Sequence, residues 1–312
     1  MKKNNASYYV LLFVASSLWG GSFVFTNRLL KSISPISLIF TRQIISSALF
    51  IVICLLFFRK DLKIKFKDLK IVFAFSFFEP FLYFIFETYS LKYSDPTVVA
   101  IIVATIPLFT ALLAIFYFKE QFSKINMLGA IVSILGIGIM LAPSFSSTHF
   151  SSTGTALAFG AVICAVCYGF FVRKMAQGYN SAVIITYQNL IGALLFFPLF
   201  LFFFNKNQFQ AEYIALHNPL NLSYILILSI FCSAIAFMFF FQGIQKMGLG
   251  KANTFTNLIP VVTALLSFFI IGEQFPFYKI IGIIVVITGI FLVQKRGKKI
   301  QEVNATISGV GD

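Results

Sequence analysis

Charge is what this sequence has least of: 11% of its 312 residues are Asp, Glu, Lys or Arg, and only 10 are acidic. Soluble domains carry roughly 25% charged residues. With 59% hydrophobic residues and a mean hydropathy of +0.92, the chain has too little polar surface to face water, and it belongs in a bilayer. Histidine is nearly missing too, and His149 and His217 fall in polar links where they form no metal pair. The four cysteines, Cys54, Cys164, Cys167 and Cys232, all lie in apolar runs, and no disulfide is expected of them. Cys164-Ala-Val-Cys167 has the spelling of a redox or zinc motif, but it sits inside an apolar run without a histidine nearby and reads as small-residue packing. No lysine lies mid-run to hold a Schiff base, and no phosphate-binding or dinucleotide glycine motif occurs. Neither a metal nor a cofactor is therefore expected, and the usual machinery of an enzyme is lacking.

What is present in abundance is long apolar runs. Ten are expected to cross the membrane, at about 8–30, 35–58, 70–91, 96–118, 126–142, 154–173, 181–204, 222–245, 251–271 and 278–294. Their lengths suit roughly 30 Å of hydrocarbon at about 1.5 Å of helical rise per residue. The first run lacks a small-residue cleavage site and reads as a retained helix rather than a signal peptide.

Part of the pattern occurs twice. At one offset of 153, Pro107 matches Pro260, Thr110-Ala-Leu-Leu matches Thr263-Ala-Leu-Leu, Glu120-Gln-Phe matches Glu273-Gln-Phe, and Gly129 and Gly136 match Gly282 and Gly289. That is a duplication of about half the chain. Five spans per half is an odd number, so the second copy must enter the membrane the other way up. The expected fold is an all-α membrane protein of ten transmembrane helices in two inverted five-helix repeats. The first repeat takes residues 1–143, an outer linker 144–153, the second repeat 154–294 and a cytoplasmic tail 295–312.

Lys and Arg give the orientation. With both termini in the cytoplasm, 18 of the 24 basic residues fall at inner ends and 5 at outer ends, with Arg42 inside a span. The net charge of +14 thus follows from topology and needs no nucleic-acid partner. The link RKDLKIKFKDLK from Arg59 to Lys70 suits an anionic lipid surface.

Polar residues inside the spans are the candidate site. Trp19 in SLWGGSF is set near mid-membrane, where tryptophan is unusual; it either packs beside glycines or lines a cavity, and Tyr168-Gly169 is its counterpart. Arg42 lies two turns into the second span, where an arginine costs roughly 2.5–3.5 kcal/mol at the helix centre unless it faces protein or water or snorkels outward. Glu79, Tyr83 and Glu87 recur at i, i+4 and i+8 on one face, and Pro80 is expected to kink the helix beside a midplane carboxylate. Glu79 is a transport candidate or a structural, hydrogen-bonded acid. Arg42 could reach Glu79 or Glu87 if the helix faces meet. Pro107 and Pro260 free the carbonyls of Val103 and Thr256, and Asn253 and Asn257 share one face of the ninth span. Glu120 and Glu273 end corresponding spans, where they serve a turn or act as paired gates. Gly129, Ser133, Gly136, Gly282 and Gly289 permit close helix packing, within one chain or in a homodimer.

The ten-span plan, SLWGGSF, an Arg in the second span and the doubled P-x12-E-x8-G-x6-G pattern resemble EamA-type members of the drug/metabolite transporter superfamily. The resemblance covers about residues 8–295. It implies a carrier in a bacterial inner membrane, commonly an exporter of amino acids or related metabolites, with a central cavity between the halves. Trp19 and Arg42 stand at family-like positions, whereas Glu79 and Glu87 rest on the physical reasoning alone. The expected function is a secondary transporter of a small polar or zwitterionic metabolite working by alternating access, with proton coupling as an option. The alternatives are a ligand-sensing receptor and a membrane-embedded transferase.

Overall fold

The computed structural model describes residues 6–110, 124–141, 151–175 and 178–294. Every regular element among them is helical. Six helices are long and apolar enough to cross a membrane: α1 (Ala6–Leu29), α2 (Pro35–Phe57), α3 (Phe66–Tyr93), α6 (Ser152–Met175), α7 (Ser181–Phe202) and α9 (Pro219–Met247). Four shorter apolar helices join them: α4 (Pro96–Thr110), α5 (Lys124–Leu141), α10 (Phe255–Ile271, after a lead-in Leu249–Thr254) and α11 (Phe277–Gln294). The remaining helix, α8 (Lys206–Leu216), lies in what the sequence suggests is an extended outer link. Its Asn205 side chain caps it by accepting from the Gln208 amide at 3.1 Å, which stabilises the first turn.

Polarity is distributed as a bilayer requires. Ser16, Ser46, Ser76, Thr88, Ser90 and Thr97 are wholly buried, while Phe57, Phe73, Leu194, Phe202, Leu265 and Phe269 are exposed on the outer faces. Hydrocarbon offers backbone groups no partner, so helices that satisfy their own ladders suit this surface. The chain is a multi-pass membrane protein.

Several helices are broken where prolines predict it. In α3 the ladder loosens to a π-type turn over Phe77–Leu82, and Glu79 leaves helical geometry at φ −147°, ψ 117° just before Pro80. In α4 the helix is interrupted at Ala104–Thr105 ahead of Pro107, and in α10 a 3-10 turn at Phe255–Asn257 precedes Pro260. A π-type stretch at Ile227–Ile235 in α9 has no proline to explain it.

Packing is pairwise. Helix α2 lies along α7, α5 along α11, α1 against α9 and α10, and α6 against α3 and α4. The glycine positions go to the α5 and α11 contact within one chain. A Cβ on Gly136 would stand 2.6 Å from the Val286 backbone nitrogen, and one on Gly289 would collide with Ser133. Gly136 and Gly289 thus pack α5 against α11 within one chain.

Candidate functional site

Small residues let the helices converge. On α1, Gly20 leaves room for α10, since a Cβ there would come within 2.7 Å of Val262 Cβ, and Thr263 Oγ1 donates to the Gly20 carbonyl at 2.8 Å. Neighbouring Trp19 is thereby held inside the bundle; its Nε1 donates to the Cys232 carbonyl at 3.2 Å within the π-type stretch of α9, which offers it an acceptor. Its ring meets Phe237 and Phe240 at centroid distances of 5.0 and 4.9 Å. On α7, Gly192 makes room for the break in α3, because a Cβ would stand 2.6 Å from Pro80 Cγ.

The convergence leaves a cavity of about 70 Å³. Trp19, Arg42, Glu79, Tyr83, Glu87, Tyr168 and Asn253 are all on its wall, drawn from α1, α2, α3, α6 and the lead-in to α10. The sequence placed Asn257 beside Asn253, yet Asn257 does not line the cavity. It falls in the 3-10 turn Phe255–Asn257, where its amide is buried and neither polar atom has a hydrogen-bond partner among the described residues. Ser22 is also on the wall, and so are Phe84, Phe237 and Phe240, which the sequence did not single out.

The charges are arranged differently from the expected ion pair. Arg42 makes no salt bridge to Glu79 or Glu87. Its Nε and Nη2 donate to Ser233 Oγ at 3.3 and 3.1 Å, and its guanidinium carbon lies 4.5 Å above the Phe84 ring. Arg42 instead finds a hydroxyl and a π face. Among the described residues its Nη1 has no hydrogen-bond partner, nor does Glu87 Oε2. Arg42 is 2% exposed, Glu87 4% and Glu79 8%, so snorkelling to a surface is not the arrangement. The Glu79 carboxylate makes no hydrogen bond or ion pair to any described residue. Ser233 and Phe84 carry no signal of their own in the sequence: Ser233 is 191 positions from Arg42.

Glu273 sits away from the cavity at one end of the bundle, between α10 and α11. Its carboxylate accepts from Lys279 Nζ at 2.6 Å and from Thr97 Oγ1 of α4 at 2.9 Å, and Lys279 also reaches Asp95 at 3.2 Å. Glu273 and Lys279 are buried. Asn27 Nδ2 donates to the Leu91 carbonyl and Arg28 Nη2 to the Ile270 carbonyl at the same end, at 2.9 and 2.8 Å. The matching Glu120 lies outside the described residues. The cavity wall runs toward the other end, through Gly169 and Leu249.

Comparison with known proteins agrees with this architecture. The EamA-like transporter family model matches residues 6–142 and 152–294. The chain is 26% identical over 300 residues to the uncharacterized transporter YetK of Bacillus subtilis (strain 168), covering 95% of this chain and 89% of that one. It is 25% identical over 289 residues to an uncharacterized transporter of Archaeoglobus fulgidus, covering 92% and 99%. A crystal structure 18% identical in sequence superposes with a TM-score of 0.65 over 93% of this chain and 98% of its own, a likeness of fold. The matched family spans both halves of the chain, and the protein belongs to the EamA-like transporter family.

Proposed function

We propose that the protein is a secondary transporter that carries a small zwitterionic metabolite, an amino acid or a relative, through the central cavity by alternating access. One observation carries this reading: seven polar or aromatic residues from both halves, three of them charged, face one cavity inside a membrane bundle. Charged groups are expensive there and are kept where they act. Arg42 with its free Nη1 receives the substrate anion, and Glu79 receives the cation or a coupling proton.

The helix plan supports the mechanism. We read the six long and four shorter apolar helices as ten spans, and the family match falls in two stretches of similar length. Exchanging the halves maps the pairing of α1 with α9 onto that of α6 with α3, and leaves α2 with α7 and α5 with α11 unchanged. The π-type breaks of α3 and α9 also correspond. This is what an inverted repeat of residues 1–143 and 154–294 predicts, and two such halves can rock about one site. With the termini in the cytoplasm of a bacterial inner membrane, the Glu273 cluster closes the outer end and the cavity runs inward. Export is the direction we propose, by resemblance to the family's exporters.

Purified protein in vesicles, tested with a panel of labelled amino acids, should give saturable, protein-dependent flux. Binding without flux would favour a ligand-sensing receptor, and chemical conversion of the label would favour a transferase.

A further inference from the structure

We propose that the preferred substrate carries a second positive charge: one carboxylate and two cationic groups, as in an amino acid with an ammonium or guanidinium side chain. This rests on the reading of the cavity as the transport site and deepens it. Among the described residues of the wall, three side chains are formally charged, Glu79, Glu87 and Arg42. No salt bridge joins any two of them: Arg42 bonds Ser233 and stacks on Phe84 with Nη1 left over, attracting Glu87 only at longer range, Glu87 Oε2 is orphaned among the described residues, and Glu79 bonds nothing described, so the wall keeps one carboxylate in excess.

A zwitterion with a neutral side chain supplies one anion and one cation, so it answers Arg42 and one carboxylate and leaves the second unpaired. An uncompensated buried charge is costly, and the ligand that offsets it is favoured over one that does not. A substrate with two cationic groups answers all three. The rest of the wall suits such a ligand as well. Trp19, Tyr83, Phe84, Tyr168, Phe237 and Phe240 present π faces and edges that stabilise an ammonium or guanidinium and cover a methylene stem. A diamine lacking the carboxylate would leave Arg42 Nη1 without a partner, so it should bind less tightly than the amino acid.

The test compares binding and flux of L-lysine, L-arginine, L-alanine, L-phenylalanine and cadaverine in reconstituted protein, for wild type, Glu79→Gln and Glu87→Gln. Both substitutions keep size and shape, and binding is read separately from flux so that a folded but inactive variant remains informative. Lysine or arginine should bind roughly tenfold or more tighter than alanine, phenylalanine and cadaverine. Each Gln variant should weaken lysine by roughly 30-fold and narrow its advantage over alanine. Flux of alanine or phenylalanine without preference for lysine would overturn the charge assignment while leaving the transporter reading intact. Absence of flux for every compound in a protein that binds them would defeat the transporter reading first. Unchanged lysine affinity in both Gln variants would show that the carboxylates do not meet the second cation.

Discussion

Arg42 is the residue whose surroundings say most about how the site works. No carboxylate lies within ion-pair distance, so its direct contacts among the described residues are Ser233 Oγ and the Phe84 ring, with Glu87 attracting it from farther off. A weakly held guanidinium is free to exchange partners when an anion arrives. Arg42→Lys keeps the charge but cannot span Ser233 with two nitrogens, and a compact ammonium is more strongly hydrated. Transport in vesicles should fall by roughly tenfold for Arg42→Lys and further for Arg42→Ala, at normal membrane abundance. Trp19 is different, because its ring fills space and its Nε1 bonds the Cys232 carbonyl. Trp19→Phe should lose about 1 kcal/mol of stability by thermal unfolding, the worth of that one hydrogen bond, while the aromatic contacts to Phe237 and Phe240 persist.

Between elements, contact between α5 and α11 depends on missing side chains. Gly136→Ala should cost about 1–3 kcal/mol, because its Cβ would meet the Val286 backbone, which cannot rotate aside. Gly138→Ala, two residues on, meets nothing within 4 Å and should be neutral or slightly stabilising. Equal melting temperatures for the two variants would contradict the packing. The sequence made these glycines legible as close-packing positions without saying which helix they face, since a one-dimensional pattern holds spacing and not partners. The break at Glu79-Pro80 was legible for the same reason that it exists, a proline without an amide hydrogen. Helix α8 was not, because its apolar residues Phe209, Tyr213 and Ile214 are too few and too mixed to read as a span. Nor was the partner of Arg42: the sequence pointed to carboxylates, the strongest partners by charge, whereas the fold supplies a serine from α9.

At the scale of the molecule, the Glu273, Lys279, Asp95 and Thr97 cluster ties α4 to α11 at one end, and of its four members only Glu273 has an identical counterpart, Glu120, in the other half. By the offset of 153, Lys279 corresponds to Asn126, Asp95 to Gly248 and Thr97 to Gly250. The residues that pair with Glu273 are therefore not duplicated in the sequence of the other half. Lys279→Met leaves Glu273 buried without its cation, and breaking such a pair costs about 3–5 kcal/mol of whatever state contains it. If that state is the one closed at the outer end, the substitution shifts a two-state equilibrium toward the outward-open form.

Alternating access of one cavity to the two sides is probed by labelling Ser22→Cys, a position on the cavity wall, in protein whose four native cysteines are replaced. A membrane-impermeant thiol reagent is applied to each side in turn, in wild-type and Lys279→Met backgrounds. The account predicts reaction from both sides, slowed on both by bound substrate, with Lys279→Met raising the outer rate and lowering the inner one. Labelling from a single side in every background, unaffected by substrate, would contradict it.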